Sequence, residues 1–481
     1  MCIRRQEETA TGHAEPTPAV RWALAALALS MLLSSLGISI ANVALPTMAG
    51  AFTASFQEVQ WVVLAYLLAI TTVIVGVGRL GDLVGRRRLL LAGIALFTAA
   101  SALCGVAPTL GLLIAARAAQ GFGAAVLMAL TMAFVGETVP KARTGSAMGL
   151  LGTMSALGTA LGPSLGGALI SGPGWRAIFL VNVPLGVLAH FLARRHLPAD
   201  RRAPGTGRAA FDHAGTALLA ATLAAYALAM TVGRGDPGPL NAALLLAAAL
   251  GAGLFVRTEA RAASPLIRLA VFRDRGLGAG LAMSALVMTV MMATLVVGPF
   301  HLSRALGLDA AMTGLALSAG PVVTALTGVP AGRVADRFGA HRMTVAGLAA
   351  MAAGALALSL TPTELGVPGY VVPIVVTTAG YAVFQTANNT AVMADVPADR
   401  RGVTSGMLNL SRNLGLITGA SVMGAVFALA SATTDVTTAP PEAVATGTRV
   451  TFAVAVLLIA AALTIALRTR RPTRPTPGGP V

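Results

Sequence analysis

Residues 78–88 read GRLGDLVGRRR, and residues 332–342 read GRVADRFGAHR. The shared frame is G-R-x-x-D-x-x-G, and the copies lie about 250 positions apart, as two internally related halves would place them. Each copy closes an apolar run. Working outward from them, runs of roughly 20 apolar residues recur along the whole chain, each long enough to cross a hydrocarbon core. About 14 can be placed, near 21–45, 60–79, 88–107, 109–134, 144–170, 177–194, 214–233, 238–256, 277–301, 311–331, 342–360, 369–393, 403–429 and 449–467. The two copies then end spans 2 and 10. For each to close the second span of its half, spans 7 and 8 must be an insertion.

This gives an all-α polytopic membrane protein of two six-helix bundles plus two inserted helices. The expected divisions are a tail over 1–20, a first bundle over 21–196, linkers and the extra helices over 197–275, a second bundle over 276–467 and a tail over 468–481. Composition agrees. The chain has 481 residues, of which 56% are hydrophobic and 11% charged. A soluble domain carries about a quarter charged residues. The Pro- and Arg-rich stretch 197–215 reads as a linker, and the Pro- and Thr-rich end as a disordered tail.

The net charge of +16 would suggest nucleic acid in a soluble protein, but here the arginines alternate by loop. They follow the even-numbered spans, as at Arg86–Arg88, Arg194, Arg195, Arg257, Arg261, Arg337, Arg342, Arg400, Arg401 and Arg468. The intervening loops hold few: Arg176, Arg234, Arg304 and Arg449. By the positive-inside rule both termini are cytoplasmic, and nucleic acid is set aside as a partner. Cys2 and Cys104 are the only cysteines, one in the tail and one in span 3, so no disulfide is expected. No cleavable leader is evident; span 1 reads as a signal anchor. No metal cluster, nucleophile–base pair or phosphate loop is present, so neither an enzyme nor a bound cofactor or metal is expected.

Span 5 contains GTALGPSLGG over 158–167. Gly158, Gly162 and Gly166 share one helix face, which lets a neighbouring helix approach to backbone contact. Pro163 removes a donor and bends the helix there; Gly167 extends the small surface.

At this point a family resemblance is visible. The chain resembles the major facilitator superfamily, in particular its 14-span drug:proton antiporters of the EmrB/QacA type. Six motifs carry it in order: ANVALP (41–46), WVVLAYLL (61–68), GRLGDLVGRR (78–87), LIAARAAQGFGAA (113–125), GTALGPSLGG (158–167) and WRAIFLVNVPLG (175–186). The resemblance implies multidrug efflux: a plasma-membrane exporter of small organic, drug-like or antibiotic-like molecules, acting as a monomer in the lipid bilayer with protons as the coupling ion. It makes 158–167 an antiporter hinge. It makes Gly78, Asp82, Gly85, Arg86 and Arg87 a gating latch, with Asp336 and Arg337 as a second copy. It ties Arg117 to proton coupling and to the central cavity.

Arg117 lies near mid-depth of span 4. A charge there must face the bundle interior and find partners; Gln120 lies three residues on, on the same face. Arg412 in span 13 is a second cation, beside Asn409 and Asn413. Gln385, Asn388 and Asn389 form a polar face in span 12, and Ser35, Ser39 and Asn42 do so in span 1. Such faces fit cavity lining and interhelical glue equally; Asn42, Arg117, Gln120, Gln385, Asn388, Asn389 and Arg412 are the cavity candidates. Met288, Met291 and Met292 offer a soft apolar wall or plain packing.

One position departs from the family pattern. Where the first span usually carries an aspartate, five residues before Asn42, this chain has Gly37. All 18 acidic residues fall outside the predicted spans. A neutral or acidic amphipathic substrate therefore suits the interior better than a cation, and the proton needs another carrier. Glu58, His190, His301 and Asp82 are the titratable candidates. Uncoupled movement or uptake on the same fold is the alternative, and a non-transporting membrane receptor the remote one.

Overall fold

In a computed structural model, the described residues are 18–138, 144–200, 213–232, 238–262, 275–393, 401–431 and 439–469. Within these no strand occurs; in hydrocarbon a helix satisfies its backbone without a partner. The helices of the first half are α1 (Pro18–Val43), α2 (Leu45–Phe52), α3 (Phe56–Val84), α4 (Arg86–Val106), α5 (Leu110–Thr138), α6 (Thr144–Ser171), α7 (Ala177–Leu180) and α8 (Asn182–His196). The pair expected as an insertion corresponds to α9 (His213–Thr231) and α10 (Pro239–Glu259). The second half has α11 (Arg275–Phe300), α12 (Ala310–Phe338), α13 (Ala340–Leu360), α14 (Gly366–Met393), α15 (Arg401–Thr418), α16 (Gly424–Ala430) and α17 (Pro441–Arg468). A π-helical turn, Gly419–Met423, joins α15 to α16.

Among the described residues, twelve helices are long and apolar enough to cross a membrane. The expectation of about 14 rests additionally on α6 and α12, which have 28 and 29 residues. Within α12 the stretch Ala310–Thr324 is apolar.

The repeat is visible in backbone geometry. Gly85 caps α4 with φ +103°, and Gly339 caps α13 with φ +86°, a region that costs a side chain about 1 kcal/mol or more. Each is the last glycine of its G-R-x-x-D-x-x-G copy. The packing register also repeats. A Cβ on Gly123 of α5 would meet the Phe97 nitrogen at 2.7 Å and the Gly93 carbonyl at 2.9 Å. One on Gly380 of α14 would meet the Met351 nitrogen at 2.8 Å and the Gly347 carbonyl at 2.7 Å. In both halves those partners follow the turn glycine by the same two intervals.

Two faces can be told apart. On one, Arg87 donates to the Arg194 carbonyl, bringing the turn between α3 and α4 to the end of α8. On the other, the halves close. Phe56 of α3 packs edge-on against Phe300 and Phe427, with centroids 4.8 and 5.4 Å away. Gln60 Nε2 donates to the Ala420 carbonyl at 3.1 Å across the seam.

The α6 glycines behave as their spacing predicts. A Cβ on Gly158 would lie 2.6 Å from the Leu32 carbonyl, and one on Gly166 would lie 2.7 Å from Val43 Cγ1. One on Gly162 would collide with Ser39 Oγ. All three face α1. Gly167 instead faces the second half, where a Cβ would lie 2.5 Å from the Ala310 carbonyl. Gly314 of α12 presses on the Pro163 carbonyl in return. The helix is thus wedged between its own bundle and the other one.

Candidate functional site

Two polar clusters sit inside the helices, one per half. In the first, Arg117 of α5 is wholly buried. Its Nε donates to the Val62 carbonyl at 2.9 Å, Nη1 to Gln120 Oε1 at 2.5 Å and Nη2 to the Gly37 carbonyl at 3.1 Å. The Gln120 amide passes the network to Ser101 Oγ at 2.7 Å. The guanidinium carbon stands 4.1 Å over the Tyr66 ring and 5.8 Å from that of Phe179. The Tyr66 hydroxyl is itself fixed on the Ser34 carbonyl at 2.9 Å.

An arginine at mid-helix costs about 2.5–3.5 kcal/mol on insertion scales. Hydrogen bonds to a charged group return about 1.5–3 kcal/mol each, so three of them with a ring face beneath are enough to hold it. The acceptors are all neutral. Gly37 stands where a carboxylate would; its carbonyl serves instead, and a Cβ there would lie 2.8 Å from the Tyr66 hydroxyl.

In the second half, Arg412 of α15 is half-buried. With the Gln385 amide turned so that both of its atoms are satisfied, its oxygen accepts from Arg412 Nη2 at 2.8 Å and Nη1 at 3.1 Å. Its nitrogen then donates to the Tyr381 hydroxyl at 3.1 Å. Arg412 keeps part of its surface open, whereas Arg117 keeps none.

The remaining cavity candidates are less alike. Asn388 spends its amide on the Gly280 carbonyl at 3.1 Å, tying α14 to α11. Asn42 donates to the Ile38 carbonyl of its own helix at 2.9 Å, leaving Oδ1 buried and without a partner. Asn389 is half-buried. Ser35 bonds Ser155 at 2.7 Å and Ser39 donates to the Gly158 carbonyl at 3.2 Å, so the serines of α1 act as glue to α6.

Among the described residues, every α-helical carboxylate lies within the first or last three residues of its helix: Glu58, Asp82, Glu137, Glu259, Asp336 and Glu442. The helices run past the predicted spans, so these groups sit in terminal turns, not in loops, and mid-membrane positions stay free of acid. Glu58 is spent locally, accepting from the Ser55 nitrogen at 2.7 Å in a capping box that starts α3. His190 and His301 each have a buried Nδ1 without a partner, and His301 stacks on Tyr370 at 5.5 Å.

At the expected latch, Gly78 has open space around its Cα. The side chains of Asp82 and Asp336 lie outside the described residues. Arg337 is exposed over Phe338 at 5.5 Å. Reasoning from sequence missed Asp200. Its carboxylate accepts from the Arg87 nitrogen at 2.7 Å and the Arg88 nitrogen at 3.2 Å, completing the first turn of α4 that starts at Arg86. It missed Tyr66 and Tyr381 as well. A usable signal existed: the chain has only four tyrosines, all in spans, and a buried phenol demands a partner.

Comparison with known proteins fits this geometry. A family model described as Major Facilitator Superfamily matches residues 27–420 and again 280–481. The chain is 30% identical over 402 residues to the riboflavin transporter RibZ of Clostridioides difficile, covering 84% of this chain and 87% of that one. It is 32% identical over 418 residues to the multidrug resistance protein Stp of Mycobacterium tuberculosis, covering 84% and 75%. Among solved structures, a bacterial homologue of the human lysosomal transporter Spinster, inward-facing and unoccupied, superposes with a TM-score of 0.69 at 16% identity, covering 95% of this chain and 100% of that one. The family model and these relatives cover most of the chain, and the chain belongs to the major facilitator superfamily as a multi-pass membrane transporter.

Proposed function

We propose that the chain exports drug-like or antibiotic-like organic molecules by alternating access, driven by protons moving the other way, as a monomeric 14-span transporter of the EmrB/QacA type. Its arginine-rich face is cytoplasmic, with both termini on that side. The observation that carries the reading is the placement of α6: its glycine face lies on α1, and its Pro163–Gly167 edge lies on Gly314 of α12. The exporter-type motif therefore sits where the halves must part, and a bent, side-chain-free helix lets them rock without unpacking. The division into bundles over 21–196 and 276–467 around the inserted pair belongs to this reading.

The favoured substrates are neutral or acidic amphipaths. A cation would find Arg117 and Arg412 at depth and no mid-helix acid, whereas an anion gains from Arg412 in particular. Gln385, bonded to Arg412, supplies a polar contact beside it, and Asn42 and Asn389 are the further polar candidates. His301 and His190, with unpaired ring nitrogens, are better proton carriers than Glu58, which is committed to its cap. A second reading, uncoupled or inward movement, is favoured by one feature: Gly37 replaces the usual acid, and Arg117 is satisfied by neutral oxygens. The relative named a riboflavin transporter keeps a nutrient-like substrate in view.

The test is a susceptibility panel in an efflux-deficient host, comparing the native chain with Arg117→Ala. Export predicts raised tolerance and lowered accumulation for some neutral or acidic compounds, lost in the variant. Unchanged tolerance and accumulation across the panel would remove the export reading. A permanently cationic dye as the best substrate would remove the charge preference.

A further inference from the structure

The inserted pair does not simply lie against one bundle. Helix α9 holds on to both. On the first half, Trp61 Nε1 of α3 donates to Thr231 Oγ1 at 3.1 Å. On the second half, Tyr226 packs against the core cluster that includes Ile417, Ala420 and Met423, with its hydroxyl beside Thr418 and Ser421, at the junction of α15 with the π-helical turn. Leu219 and Leu223, on the same helix, are buried in the core cluster that both halves share. By contrast α10 is mostly exposed, with Leu240, Leu246, Leu250 and Leu254 open to the surroundings. So α9 is the working member of the pair and α10 its lipid-facing cover.

The position of this hold is specific. The seam it bridges, α3 against α15, is the one Gln60 crosses to reach the Ala420 carbonyl. A π-helical turn shifts the backbone pairing and makes a carbonyl available for such a partner. The opposite seam, α6 against α12, has no inserted helix on it. There Leu157 and Leu161 of α6 and Leu315 and Leu326 of α12 are exposed.

We propose that α9 is a strap across the α3–α15 seam: through Thr231 on one half and Tyr226 on the other, it biases the transporter toward the state closed at the Phe56–Phe300–Phe427 cluster. This rests on the alternating-access reading above. For that closed face to open, α3 and α15 must separate there, and one of the strap's polar contacts must break. The contacts therefore hold back opening, and weakening them raises the share of molecules open on that face. A structural insert that only covers the surface would have no such effect.

Gln57, in the first turn of α3, reports on the closed face because its side chain is 6% exposed. In a background of Cys2→Ser and Cys104→Ala, a Gln57→Cys variant is labelled with a membrane-impermeant maleimide applied from the closed face. Tyr226→Phe and Thr231→Val, each removing a hydroxyl with little change of shape, should each speed labelling threefold or more. Together they should speed it further. Thermal unfolding of the same samples separates a shifted balance from a damaged fold: the account requires faster labelling at an unfolding midpoint within about two degrees of the parent. Unchanged or slower labelling in both variants overturns the strap. So does faster labelling found only where the midpoint collapses. If labelling of the parent is also indifferent to a compound the native chain exports, alternating access fails with it; if the parent responds and the variants do not, only the strap fails.

Discussion

Arg117 is held by geometry that leaves one replacement open to a sharp test. Gly37 offers its carbonyl 3.1 Å from Nη2, and the Tyr66 hydroxyl occupies the space an aspartate would need. Gly37→Asp alone should lower the unfolding midpoint, since forcing atoms into a filled site costs about 1–3 kcal/mol. Adding Tyr66→Phe removes the colliding hydroxyl and lets the new carboxylate pair with Arg117, so the double variant should regain most of the loss. Stabilities that simply add would deny the contact. The same double variant should begin to accept cationic compounds; continued exclusion would mean that the first-span acid is not the discriminator. Arg117→Lys should abolish export, because a single ammonium cannot reach the three acceptors on α1, α3 and α5 in their fixed positions; this is read from substrate accumulation in whole cells.

At the scale of single elements, α6 makes the clearest prediction. Gly162→Ala sets a methyl against Ser39 and should destabilise by about 1–3 kcal/mol. Gly152→Ala on the same helix, where nothing lies within 4 Å, should change stability by no more than about 0.5 kcal/mol. Equal effects in thermal unfolding would show that the glycines are not there for close approach. The start of α4 makes another. Asp200→Ala removes an anion from a helix N-terminus, an effect of about 0.3–1 kcal/mol, and should loosen the turn at Gly85, seen as faster hydrogen exchange of the Arg87 and Arg88 amides. Unchanged exchange there would deny the cap. The spacing of the α6 glycines was legible in the sequence because helical periodicity alone assigns them to one face. The cap was not: Asp200 and Arg87 are far apart in sequence and lie in a loop and a helix start, where only the fold brings them together.

For the whole molecule, the G-R-x-x-D-x-x-G repeat leads to the two-half plan we propose, and the last glycine of each copy, Gly85 and Gly339, has a positive φ. The polar clusters were half legible. Arg117 with Gln120 follows from helical spacing, and Arg412 with Gln385 is a contact between distant spans that no local pattern encodes. The positions of Tyr66 and Tyr381 beside these arginines depend on helix rotation, which one sequence leaves open. The reading we propose for these features is proton-driven export through a bundle whose described mid-helix positions carry cations and no acids. The direct measurement is uptake of a neutral or acidic fluorescent substrate into inside-out membrane vesicles, with an acid-inside pH gradient imposed and then collapsed by a protonophore. The account predicts accumulation against the substrate gradient while the pH gradient lasts and release when it collapses; uptake that is equal with and without the pH gradient, and stops at equilibrium, would contradict it.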